Sequence, residues 1–221
     1  MDKFSIQETY RNQTVQYEYW LSDILQIVNQ FPDSSLEGNA FYYHNTQNRF
    51  HELQPKQMNL MWAGTQVQAK LCEIGFNAGH SALLLLQGCS DKQIQCTLFD
   101  IGHHSYTKPC VEYVQSQFPN AQIDYIVGDS IRTMREYITQ NPSCCGTYDV
   151  VHVDGGHSLE CITADFAHAT QLVRPGGIVI IDDTNIDYIT AAVDQAIQSG
   201  NYTELDCFPT VGYQHRILRK C

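Results

Sequence analysis

Glu73, Gly75 and Gly79 lie in the stretch Leu71–Ser81, LCEIGFNAGHS, where an apolar run ends in an acid and enters a glycine-punctuated turn. A helical run, Ala82–Leu86, follows. A strand, a tight turn and a helix N-terminus together present backbone N–H groups to a ligand, with glycines where a Cβ would block its approach. The ligand expected is nucleotide-like. Dinucleotide sites carry Gly-x-Gly-x-x-Gly, whereas this loop reads Glu73-x-Gly75-x-x-x-Gly79, with its acid two residues before the first glycine. An acid there repels a pyrophosphate and suits an ammonium, which disfavours a nicotinamide-dependent oxidoreductase.

A second constellation is acidic. Asp154 ends a fourth apolar run and Asp182-Asp183 end a fifth, 28 and 29 residues further on. At the carboxyl edge of a parallel sheet the three carboxylates converge, repel one another, and suit a hard cation such as Mg²⁺ or Mn²⁺. Alternatively, Asp182 or Asp183 caps a helix starting near Ile186. Asp100 ends the second run, the place from which a carboxylate accepts bonds from ribose hydroxyls. Asp129, in Gly128-Asp129-Ser130, follows the third run and alternatively caps a helix from Ile131. His152 alternates with apolar neighbours and reads as a core histidine. His103 and His104 follow the second run, but adjacent side chains rarely both face one site.

These residues need a sheet to position them. Lys70–Ile74, Gln95–Asp100, Ile123–Val127, Asp149–Asp154 and Ile178–Asp182 read as strands, the last two as near-continuous apolar runs of the kind buried on both faces of a parallel sheet. Ser158–Leu172 reads as a helix burying Ile162, Phe166 and Ala169, and Arg174-Pro175-Gly176-Gly177 stops it. Ile186–Ser199 reads as helical, and Tyr202–Cys207 with Gln214–Leu218 as a closing pair of strands. The expected fold is α/β: a Rossmann-like, mostly parallel seven-stranded sheet with helices on both faces, over residues 69–221. Residues 1–68 form an N-terminal helical extension, with one apolar stripe at Leu21, Ile24, Leu25 and Val28 and a second short helix at Met58, Met61 and Trp62. Between them, Phe41-Tyr42-Tyr43-His44 continuing to Arg49-Phe50-His51 reads either as a substrate lid or as an irregular segment packed on the sheet edge.

Composition narrows the function. With 43% hydrophobic and 17% charged residues over 221 positions, the chain can bury a sizeable core. A net charge of −11 gives no basic footprint, so nucleic acid and anionic membranes are not expected as partners. Nine cysteines without Cys-x-x-Cys pairs, after a polar Met1-Asp2-Lys3 start, fit a reducing cytoplasm. No apolar run approaches the roughly 20 residues of a membrane span. A small molecule is the expected partner, with a homo-oligomer as an allowed state.

The loop Glu73-x-Gly75-x-x-x-Gly79-x-Ser81 resembles motif I of the class I S-adenosylmethionine-dependent methyltransferases, and is most similar to the catechol and caffeoyl-CoA type and the macrolide-sugar O-methyltransferases. The resemblance covers Lys70 to about Asn185. It implies S-adenosylmethionine as cofactor, with Glu73 near its methionine portion, Ser81 near its carboxylate and Asp129 at the adenine amino group. It further implies Mg²⁺ (or Mn²⁺) held by Asp154, Asp182 and Asp183, where the catechol-type enzymes have an Asp and an Asp-Asn pair. His157 stands where those enzymes carry a lysine that takes the substrate's proton. Imidazole titrates near neutrality and can serve as that base; alternatively His157 bonds a backbone group or contacts the adenine. The implied activity is methyl transfer to a hydroxyl of a small molecule, a vicinal diol, catechol or sugar. The alternatives are a metal-independent or hydroxylase-like relative, and a catalytically silent binding module on the same fold.

Overall fold

The computed structural model describes residues 3–31, 36, 40–42, 51–210 and 214–221. Seven strands form one sheet: β1 (Lys70–Ile74), β2 (Ile94–Asp100), β3 (Ala121–Val127), β4 (Tyr148–Val153), β5 (Val173–Ile181), β6 (Tyr202–Glu204) and β7 (Arg216–Lys220). Their spatial order is β3-β2-β1-β4-β5-β7-β6. Only β7 runs antiparallel to its neighbours. The order reverses at β1/β4, which opens a crevice outside the carboxyl ends of the strands.

Helices α1 (Lys3–Asn12), α2 (Thr14–Val28), α3 (Gln54–Gln66), α4 (His80–Gly88) and α5 (Thr107–Gln117) share one apolar cluster with one face of the sheet, including Ile24, Leu60, Leu84, Leu71, Val150 and Ile180. Helices α6 (Ser130–Gln140), α7 (Leu159–Leu172) and α8 (Asp187–Gln198) cover the other face, through Met134, Phe166 and Val193 against Cys72, Val151 and Val179. Strand residues therefore sort by parity, as a period of two requires. On the α3 side the rows read Leu71-Glu73, Val150-His152 and Ile178-Ile180.

Helices α3 and α4 touch backbone to backbone. A Cβ on Gly64 would lie 2.0 Å from the Leu85 carbonyl oxygen, and one on Gly88 2.3 Å from that of Met61. The N-terminal segment is thus seated on the helix that follows the glycine loop. Of the stretch expected as lid or edge packing, Phe41 and Tyr42 are buried against the His80 ring, at centroid distances of 6.0 and 5.7 Å. Residues 43–50 lie outside the described residues.

Strand boundaries differ from expectation in β5, which starts at Val173 and runs through Pro175, Gly176 and Gly177. The β4–β5 register shifts between Tyr148 and Val150, so the proline sits at an irregularity and removes no ladder bond a regular strand would need. Asp149 anchors this end of the sheet. Its Oδ2 accepts the amides of Gln68, Ala69 and Lys70 at 2.9, 2.7 and 3.0 Å, and its Oδ1 accepts Arg174 Nε at 2.8 Å. Burial alone pushes its pKa up, but those amides and Arg174 outweigh it and hold the carboxyl below its ordinary value. Asp149→Ala is expected to cost about 3 kcal/mol in urea unfolding at neutral pH. Because the folded-state pKa is depressed, the contribution is present above the unfolded value of about 3.9 and lost as pH falls through the folded one. A penalty that stays constant into acid would contradict this assignment.

Candidate functional site

A cavity of about 580 Å³ opens at the carboxyl ends of β1, β2, β4 and β5, within the size range of small-molecule and cofactor sites. Its floor is the glycine loop. Gly75 has φ +89°, and a Cβ there would stand 1.8 Å from the Asp154 carbonyl oxygen, so β1 and β4 can meet only with glycine at this position. Gly79 ends the loop in the left-handed region as the residue before α4, and no side chain caps that helix. Its first amides remain available to an anionic group.

Gly75, Ser81, Asp100, Asp129, Asp154, His157, Asp182 and Asp183 all line the cavity. Glu73 and Gly79 lie behind its wall. Glu73 is fully buried and its Oε1 stands 2.9 Å from His152 Nδ1, because β1 and β4 pair these two residues side by side on the α3 face. Neither Glu73 nor His152 lines the cavity, so the expected contact of Glu73 with a cofactor's methionine portion is not a direct one here. His152 is accordingly a core histidine, but a half-satisfied one: its Nε2 and Glu73 Oε2 have no hydrogen-bond partner among the described residues.

Asp100 accepts the Asn77 amide at 2.7 Å and the Gly102 amide at 2.8 Å, one per oxygen, which fixes the carboxylate at the cavity rim. Asp129 takes the capping role, accepting the Ile131 amide at 3.0 Å at the start of α6, and also lies on the cavity wall. His103 and His104 both line it too, against expectation. They follow β2 in an irregular loop, where strand alternation no longer sends neighbours to opposite faces. His104 stacks on Tyr106 at 4.8 Å with an interplanar angle of 6°.

The three acids are brought to one edge but not to one point. Asp182 Oδ2 is paired with the Lys56 ammonium from α3, and both side chains are buried. Asp182 Oδ1 accepts the Asp183 amide at 2.9 Å. Asp183, at φ +53°, turns its Oδ2 to His157 Nε2 at 2.8 Å. That backbone conformation is strained for a non-glycine residue and aims the carboxylate at the histidine. Ligand atoms within 4.8 Å of one another group Asp154 with His157 and Asp183, or with His152 and Asp182. No group holds Asp154, Asp182 and Asp183 together, and Asp182 Oδ2 meets the Lys56 ammonium, so the expected three-acid metal set does not fit this arrangement.

Electrostatics separate the acids. Burial pushes the Asp154 carboxyl well above the usual carboxylate range, and neighbouring Asp182 adds to the rise against the pull of Lys56. Burial pushes Asp182 the same way, but Lys56 first, then His215 and His152, outweigh it and hold Asp182 below that range. Lys56, whose burial alone lowers its pKa, is held above its ordinary value by Asp182 and Asp154. His215, buried beside them with Nε2 2.8 Å from Asn59 Nδ2, is pushed down to about 3 by burial and is neutral. Lys56, Asn59 and His215 are functional candidates that sequence reasoning missed. The available signal was a helix, Gln54–Gln66, whose buried face carries Lys56, Gln57 and Asn59.

No helix among the described residues is long and apolar enough to cross a membrane. A family model described as a methyltransferase domain matches residues 72–184, just over half of the chain. Among curated proteins none matches. Among solved structures, the chain is similar to an O-methyltransferase from Bacillus cereus in complex with SAH, with 16% identity over 91% of this chain and 90% of that one and a TM-score of 0.61. CalS11, a TDP-rhamnose 3′-O-methyltransferase of calicheamicin biosynthesis, is 14% identical over 91% and 93% of the two chains, with a TM-score of 0.60. TomG from Streptomyces achromogenes, an O-methyltransferase involved in tomaymycin synthesis and solved with SAM, is 19% identical over 91% and 88%, with a TM-score of 0.56. At these identities the likeness establishes a shared fold.

Proposed function

The chain belongs to the methyltransferase-domain family, and on that premise we propose that it is an S-adenosylmethionine-dependent O-methyltransferase acting on a hydroxyl of a small molecule. One observation carries the reading: the cavity wall holds Asp100, Asp129, Asp154, Asp182 and Asp183, with Lys56 as its one lysine or arginine among the described residues. Such a wall suits a cationic, phosphate-free nucleoside and repels a dinucleotide. S-adenosylmethionine supplies a methyl group on a sulfonium that departs as a neutral thioether.

The chain's own residues bind, orient and move a proton. Asp100, held by two backbone amides, faces outward to accept hydrogen bonds from a ribose. The open N-terminus of α4 and Ser81 receive a carboxylate. Asp183, as a carboxylate, only accepts hydrogen bonds, so it fixes the His157 tautomer with the proton on Nε2. The imidazole would then take the acceptor hydroxyl's proton as that oxygen attacks. Catalysis is otherwise positional.

Transfer of labelled methyl from S-adenosylmethionine to a panel of phenols, catechols and sugars tests the reading. Asp100→Ala is expected to weaken cofactor binding about 10- to 100-fold, the value of one or two hydrogen bonds to a charged group. Unchanged affinity in a thermal-shift titration would remove Asp100 from the site.

A further inference from the structure

We propose that Lys56 is a built-in countercation of the sheet edge, occupying the place where a divalent ion would otherwise join Asp182 to its neighbouring acids, so that methyl transfer here is metal-independent. The inference rests on the methyltransferase reading but is drawn from the α3 face of the sheet. Parity puts Glu73, His152, Asp154 and Asp182 on that face, at or near the ends of β1, β4 and β5. An acidic row of this kind needs a cation. The chain provides one from the helix packed over it: Lys56 is 5% exposed and its ammonium meets Asp182 Oδ2.

The ammonium is held there by the fold. Helix α3 is seated closely on the domain, because Gly64 and Gly88 bring its backbone against that of α4. Three residues on, Asn59 is anchored to the other side of the site, accepting the Phe208 amide at 2.8 Å and bonding His215 at 2.8 Å. A lysine this buried is rare without a partner, and its removal leaves Asp182 buried without its countercharge. A divalent ion and an ammonium on one carboxylate repel each other at bonding distance. Lys56 also carries three donors and gives one to Asp182. Lys56 lines the cavity, where the remaining donors would meet an acceptor oxygen. With no ion to chelate, the acceptor needs one hydroxyl and not an adjacent pair.

Calorimetric titration of the chelator-treated full chain with Mn²⁺ and with Mg²⁺ tests this, with a parallel S-adenosylhomocysteine thermal shift to report folding and cofactor binding. Wild type is expected to bind neither ion below millimolar concentrations. Lys56→Met, which leaves the carboxylates and removes the ammonium, is expected to gain one Mn²⁺ site on the order of 100-fold tighter, as the lost charge requires. Micromolar metal binding by wild type would overturn the proposal, as would a Lys56→Met protein that still binds S-adenosylhomocysteine yet gains no ion. If the variant does not fold, the wild-type titration decides alone. Failure of wild type to bind S-adenosylhomocysteine would instead count against the methyltransferase reading.

Discussion

Gly75→Ala is expected to abolish cofactor binding and to destabilise the chain by about 2–5 kcal/mol. Two costs combine. The new Cβ would stand 1.8 Å from the Asp154 carbonyl oxygen and 3.0 Å from the Gly155 amide nitrogen, a collision with backbone that no rotamer relieves. The residue also keeps φ +89°, which an L side chain rarely adopts. Relief requires β1 and β4 to part at their carboxyl ends, and the cavity floor is built from that junction. Gly146→Ala provides the control. It too has a positive φ, +66°, but nothing lies within 4 Å of its added Cβ, so only the conformational cost of about 1 kcal/mol remains. Equal destabilisation of the two variants in urea, with cofactor affinity intact in Gly75→Ala, would remove the glycine loop from the site.

His157→Ala is expected to lower kcat by about 10²- to 10⁴-fold once an acceptor is in hand, the range for loss of a positioned base. Cofactor affinity should change little, since a proton acceptor acts in the transition state. The base works deprotonated, so wild-type activity rises with pH through the pKa of His157, and the variant should lose that acidic limb. Asp183→Asn should fall between the two proteins, because the amide can hold the ring but no longer dictates its tautomer. A variant that keeps both kcat and the limb would show that His157 is not the base. A fall confined to cofactor affinity would make it a ligand contact.

The parts of the fold that could be read in advance are those governed by apolar periodicity and turn chemistry. Strand β1 has the expected bounds, and α7 begins one residue after its expected start, with Ser158 capping it by accepting the Cys161 amide at 3.1 Å. Helix α1 escaped because it buries only Ile6 and Tyr10 and shows no apolar stripe. The same reasoning located the cavity's acids, since each ends a strand or opens the helix after it. It could not see Lys56. A buried lysine has no periodic signature, and its partner Asp182 is 126 residues away. The pairing of Glu73 with His152 was in principle legible, because parallel strands put alternate residues on one face, but the register that sets them side by side is a tertiary fact.

Calorimetric titration of S-adenosylhomocysteine into the purified chain, with NAD as comparison, tests the central claim most directly. The expected result is one S-adenosylhomocysteine bound per chain at micromolar affinity, weakened in Asp100→Ala and lost in Gly75→Ala, with no heat from NAD. Binding of NAD in its place, or S-adenosylhomocysteine binding unaffected by either substitution, would contradict the assignment of this cavity.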